Sequence, residues 1–161
     1  MTVCTGLDVG QLKREIVLPT LQAIALDGPA AVNLLTGIAL AESRAAYLRQ
    51  FNGPALGLWQ MEPATHEDCW NNFLHATAQA ALTPRIRTLL SPEPRLRQLV
   101  SNLRYACAMA RVQVFRAPAP LPPATDAAAL SAYHKQFYNT ALGAANAGAN
   151  RTLFQAAIDA M

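Results

Sequence analysis

Charge is scarce in this 161-residue chain: Asp, Glu, Lys and Arg together make up 14% of it, against about a quarter in an ordinary soluble domain. With 52% hydrophobic residues, that balance excludes a disordered acidic or basic tail, which needs low hydrophobicity and dense charge. Cysteine is sparse too. Cys4, Cys69 and Cys107 are odd in number, far apart and in no metal-ligand spacing, so no disulfide framework is implied and synthesis in a reducing cytosol is expected. Long apolar runs are missing. The most apolar stretch, 24–41, contains Asp27, Gly28, Pro29 and Asn33, and reads as a turn plus a core helix, so no membrane span is expected. The opening residues MTVCTGLDVG have neither a basic start nor an apolar core, so no Sec-type leader is expected. Prolines and glycines cluster without a period, which excludes collagen-like and solenoid chains. There is no phosphate loop and no dinucleotide fingerprint.

What is present points to helices. Alanine is the commonest residue and β-branched runs are few, which favours close-packed helices in one domain spanning 1–161. The formal charge of +3 suits an anionic partner without choosing between nucleic acid and another anionic polymer. The pattern predicts a helix over 9–26, kinked or split at Pro19, and a second over 30–48 after the Asp27-Gly28-Pro29 turn. Residues 51–62, rich in glycine and proline, read as loop or short extended structure. Thr65 and Asp68 suggest a capping box opening a helix to about 82, and leucines and alanines at helical spacing predict one long helix over 93–116. The run 117–123 reads as a stiff connector. Asp126 is expected to cap a helix to about 138, 143–149 to turn, and Asn150 to cap the last helix.

With only ten acidic residues, a carboxylate on an apolar stripe is conspicuous, and Glu42 is one. Leu35, Ile38 and Glu42 stand at i, i+3 and i+7, and the helix neighbours of Glu42 are Ile38, Ala39, Ala45 and Ala46, none of them cationic. A carboxylate so placed is expected to hold its proton at neutral pH, as a general acid must. The alternative is a structural carboxylate satisfied by an arginine or a backbone amide from elsewhere in the fold.

Glu42-Ser43, followed by Gly57-Leu58-Trp59-Gln60, resembles the Glu-Ser and Gly-Leu-Met-Gln motifs of lysozyme-like lytic transglycosylases. Residues 41–44 and 53–66 together resemble a phage-type branch of these peptidoglycan-cleaving proteins, and Tyr138-Asn139-Thr140 with Gly143 is similar to that branch's version of the family's Ala-Tyr-Asn motif. The resemblance implies a mainly α fold, α+β in the lysozyme-like sense, with a short extended segment around 51–62. It implies cleavage of the β-1,4 MurNAc–GlcNAc bond with Glu42 as general acid and then base, and no metal or cofactor. Ser43, Trp59, Gln60, Glu62, Tyr138 and Asn139 become the expected substrate-binding residues. Trp59 departs from the family's methionine, which puts one sugar subsite in question, and Tyr133 competes with Tyr138 for the tyrosine role. The implied setting is a phage virion enzyme or an endolysin, made in the host cytoplasm and acting on the cell wall. Peptidoglycan, and for a virion protein other phage proteins, are the expected partners, with no nucleic acid and a monomer in isolation.

The second carboxylate decides the reaction. A lytic transglycosylase uses the muramic acid's own C6 hydroxyl and needs one carboxylate, whereas a hydrolase generally needs two. In an extended segment Gln60 and Glu62 point to one side, so Glu62 could activate a water. Alternatively Glu62, like Glu67 and Asp68, sits at the start of a helix opened by Pro63. Tyr47 and Trp59 offer flat faces to sugar rings, with core packing as the other reading. His66, Cys69 and His75 are a weak zinc pattern, and His134 reads as a surface residue. Arg85, Arg87, Arg95, Arg97, Arg104 and Arg111 read as solvated helix faces or a basic surface. The rival classes are a non-enzymatic virion protein that binds glycan and a helical DNA-binding protein.

Overall fold

The computed structural model describes residues 6–139 and 146–161. Asp8 opens the first helical stretch by accepting from the Gln11 amide at 2.9 Å. The stretch runs through α1 (Val9–Gln11), a π-helical segment (Leu12–Val17) and α2 (Leu18–Ala23). The expected break at Pro19 is a change of register. The wide π turns end just before the proline, which sits in the first turn of α2, where its missing N–H removes least. The helix ends at Ala23, three residues before the expected boundary, because the chain turns at Ala25 with φ 56°.

α3 (Pro29–Ser43) follows Gly28, whose φ of 121° suits glycine alone, and carries Pro29 in its first turn. Residues 31–40 are buried without interruption. This is therefore a central helix with no solvent face along that span. Two of its buried polar groups are satisfied by backbone carbonyls: Thr36 donates to that of Val32, one turn back, at 2.8 Å, and Asn33 to that of the distant Ala124 at 3.0 Å. The helix stops five residues before the expected end at 48. Arg44 (φ 55°) and Ala45 (φ 51°) are both left-handed, and their amides bond back to Leu40 and Ala39. No glycine marks this stop, so the sequence pattern does not reveal it.

The segment after α3 folds back on itself through two isolated antiparallel bridges, Arg49 with Leu56 and Leu56 with Met61. The expected short extended segment is thus present, and Leu58, Trp59 and Met61 drive it into the core. α4 (Pro63–Asp68) begins at Pro63, ahead of the expected Thr65–Asp68 capping box, with Glu62 in the cap position making no side-chain cap bond. The single helix expected to reach 82 is broken into α4, a π turn (Cys69–Leu74) and a 3-10 turn (Thr77–Gln79) before α5 (Leu82–Arg87). The long helix over 93–116 is likewise two, α6 (Gln98–Ser101) and α7 (Leu103–Phe115). Asn102 separates them in an extended conformation, caps α7 by accepting from the Tyr105 amide at 3.0 Å, and donates to the Leu89 carbonyl at 2.8 Å.

Asp126 caps α8 (Ala127–Phe137) as expected. α9 (Ala147–Asp159) is capped by Asn146, while Asn150 lies inside the helix. Of the turn expected at 143–149, residues 143–145 lie outside the described residues, while Asn146 is the cap of α9 and 147–149 are its first helical residues. α9 lies against both α3 and α8. Phe154, fully buried, sits over Gly37 of α3, where any Cβ would run into the ring. The described residues are mainly α, 61% helix against 2% strand, in one compact domain. Among the described residues no helix is long and apolar enough to cross a membrane.

Because Phe154 fills the space that Gly37 leaves open, Phe154→Ala is expected to lower the unfolding free energy by about 3–5 kcal/mol. Urea titration followed by far-UV circular dichroism measures it.

Candidate functional site

The last turn of α3 carries Glu42 to the edge of the core, where its side chain retains 14% exposure. Two side chains converge on one of its oxygens. His134 Nε2 lies 2.6 Å from Oε1 and Asn139 Nδ2 lies 3.2 Å from the same atom. The local partner that the helix pattern lacked therefore comes from a residue 92 positions away, on α8. The turn that closes α8 aims Asn139, since the amides of Tyr138 and Asn139 both bond to the His134 carbonyl at 2.9 Å.

Tyr138 is buried and donates its hydroxyl to the Trp59 carbonyl at 2.7 Å. Burial, with the Glu42 carboxylate nearby, pushes its phenol well above the ordinary pKa, so it serves as a neutral donor. These residues open on a cleft of about 270 Å³ lined by Glu42, Gln50, Gln60, Glu62, Gln113, Tyr138 and Asn139, with Ala55, Met61 and Thr65 completing it. Two carboxylates and four side-chain amides line it, and no lysine or arginine does. Such a surface suits hydroxyl and N-acetyl groups better than phosphates.

The structure brings together Glu42, Gln60, Glu62, Tyr138 and Asn139 and sets Ser43 and Trp59 apart. Trp59 is not a sugar platform: it is 1% exposed and donates its indole N–H to the Leu35 carbonyl at 2.9 Å. Ser43 is a tie between elements, with its hydroxyl at 2.7 Å from the Leu58 carbonyl and 3.1 Å from that of Ala39. Gly57 serves the protein's own packing: its φ is 76°, and a Cβ there would strike the Leu99 carbonyl. Tyr138, not Tyr133, lines the cleft, since Tyr133 donates to the Ala119 carbonyl and faces a separate hollow. Tyr47 is half-exposed and packs edge-on against Phe51, their ring centroids 5.0 Å apart. Thr140 and Gly143 of the third motif lie outside the described residues.

His134 is the residue that sequence reasoning missed. It is 1% exposed, not on the surface. It stands four residues after Leu130 and four before Tyr138, both buried, so its place on that stripe was the signal available. The other weak patterns have local explanations. His66 Nε2 lies 2.7 Å from the Tyr105 hydroxyl, and Arg116 donates to Cys69 Sγ at 3.3 Å. Among the described residues no three candidate metal ligands gather. Of the six arginines, Arg85, Arg87, Arg95, Arg97 and Arg104 are exposed, as the solvated reading expects, and Arg111 is the exception. Arg111 is buried and donates to the Leu26 carbonyl, while Arg87 and Arg95 cover the Trp70 ring. Asp68 is paired with Arg116 at 2.6 Å, away from the cleft. No family model, curated protein or solved structure matches the chain.

Burial, aided by Arg95, lowers the His66 pKa from 6.5 to about 4. The unfolded chain then binds more protons between those values, so stability is fully present above pH 6.5 and falls as the pH drops toward about 4. Melting temperatures across that window should decline in the wild type and decline less steeply in His66→Phe.

Proposed function

We propose that this chain cleaves peptidoglycan glycan strands at the β-1,4 bond between MurNAc and GlcNAc, with Glu42 as general acid and base. The observation that carries the reading is the Glu42 carboxyl itself. It sits at a helix end on the wall of an amide-lined cleft, with Oε1 held by His134 and Asn139 and Oε2 without a hydrogen-bond partner among the described residues. Bond cleavage needs a proton on the leaving glycosidic oxygen, and Oε2 is the atom free to deliver it. The donors on Oε1 stabilise the carboxylate left behind.

In the transglycosylase route the C6 hydroxyl of the same MurNAc attacks C1. Its proton returns to Glu42, closing a 1,6-anhydro ring and restoring the acid. Gln60 and Asn139 supply amides for sugar hydroxyls and N-acetyl groups, and Tyr138 fixes the cleft wall through Trp59. The resemblance of residues 41–66 to a phage-type branch extends the proposal to a virion-carried enzyme or an endolysin acting on the host wall. Glu62 supports a second reading, lysozyme-type hydrolysis, because it is exposed and lines the same cleft as Glu42. There it would activate a water in place of the C6 hydroxyl.

Glu42→Gln keeps the size and the acceptor oxygen and removes the transferable proton. The expected outcome is a loss of turbidity clearing on peptidoglycan suspensions of about 100-fold or more, with co-sedimentation on the wall material retained. A wild type that binds walls without clearing them supports the glycan-binding virion protein instead. Salt-sensitive DNA binding without wall binding supports the DNA-binding rival.

A further inference from the structure

We propose that His134 is a positioning residue that decides which oxygen of Glu42 carries the mobile proton. The inference rests on the catalytic reading of Glu42 and adds to it a tautomer and an orientation. The His134 ring is 1% exposed, and its centroid lies 5.6 Å from that of Phe154 and 5.9 Å from that of Tyr138. Nε2 faces Glu42 Oε1 at 2.6 Å, while Nδ1 is buried and has no hydrogen-bond partner among the described residues.

That orphaned nitrogen discriminates among the forms the ring can take. A proton on Nδ1 would strand a buried N–H without an acceptor, and an imidazolium would strand the same N–H with a charge added. A proton on Nε2 alone leaves only a bare lone pair at Nδ1, and buried lone pairs are tolerated better than buried orphan donors. His134 is therefore a neutral Nε2–H donor to Oε1. Asn139 Nδ2 donates to the same oxygen at 3.2 Å. Oε1 is thus occupied as an acceptor twice over, and a proton taken up by Glu42 goes to Oε2, which has no partner among the described residues. The histidine orients the carboxyl plane and excludes the unproductive protonation site. It does not itself receive the substrate's proton, so it acts through Glu42.

Two variants and one spectrum test this. Phenylalanine at 134 keeps a flat ring and removes the donor, whereas glutamine can present an amide N–H near the place of Nε2. Release of soluble muropeptides should show kcat lowered roughly 10- to 100-fold in His134→Phe, the effect of one hydrogen bond to a charged group, with KM essentially unchanged. His134→Gln should recover most of that loss. Equal losses in the two variants, or wild-type kcat in His134→Phe, overturn the proposal. Long-range 1H–15N correlations of the wild-type protein near neutral pH read the tautomer without any turnover and without any variant having to fold. The Nε2–H pattern is expected, and an Nδ1–H or imidazolium pattern overturns the assignment. A protein with the Nε2–H pattern that cleaves no wall overturns the catalytic role of Glu42 and with it the positioning role, while the hydrogen bond stands.

Discussion

The burial of α3 on every face is the constraint from which the remaining geometry follows. Ten consecutive residues, 31–40, have no solvent side, so other elements must cover the whole circumference of the helix. α9 and α8 cover part of it, with Phe154 closing over Gly37. The 49–61 segment covers another part through Trp59, whose indole bonds to the Leu35 carbonyl. The helix shows a polar side chain to the cleft where this wrapping ends, at Glu42, while Ser43 beside it stays buried against the Leu58 carbonyl. The covering elements then become the walls of the cleft: α8 leads into Tyr138 and Asn139 and holds the buried His134 against Glu42, and the folded-back segment contributes Gln60 and Glu62. A carboxylate fully buried without partners would cost several kcal/mol. Glu42 avoids this by keeping some exposure and taking two donors on one oxygen.

The electrostatics of the cleft narrow its chemistry. The molecule carries a formal +3, yet the lining has no cation and is rich in amides. A site for phosphate would be expected to show the reverse. Amides matched to hydroxyl and N-acetyl groups, beside a carboxyl with one free oxygen, suit an uncharged glycan bond with acid–base work to be done. On the proposed reading, the net charge would act at the level of the whole surface, as modest attraction to an anionic wall polymer.

Much of this was legible in the sequence for identifiable reasons. Glu42 stood out because acids are few and its helix neighbours are apolar. Tyr138 and Asn139 emerged from a local motif, and Asp126 from its position ahead of an apolar run. What stayed hidden depended on contacts distant along the chain. Trp59 and Ser43 belong to the right segment, but residue type cannot tell whether a tryptophan faces a groove or a helix carbonyl. His134 meets Glu42 across 92 residues, and its buried stripe outweighs the usual surface preference of histidine. The end of α3 was invisible because Arg44 and Ala45 adopt left-handed conformations with no glycine to signal them. The break at Asn102 was hidden by leucine and alanine spacing that continues smoothly through it, although an asparagine is a good N-cap.

The central claim is that one carboxyl does the acid–base work of glycan cleavage, and the products report on it directly. Purified peptidoglycan digested with the wild-type protein should yield soluble muropeptides whose masses and fragmentation show 1,6-anhydro-MurNAc ends. Reducing MurNAc ends would contradict the single-carboxyl route and transfer the second role to Glu62, and the absence of any released muropeptide would contradict the account as a whole.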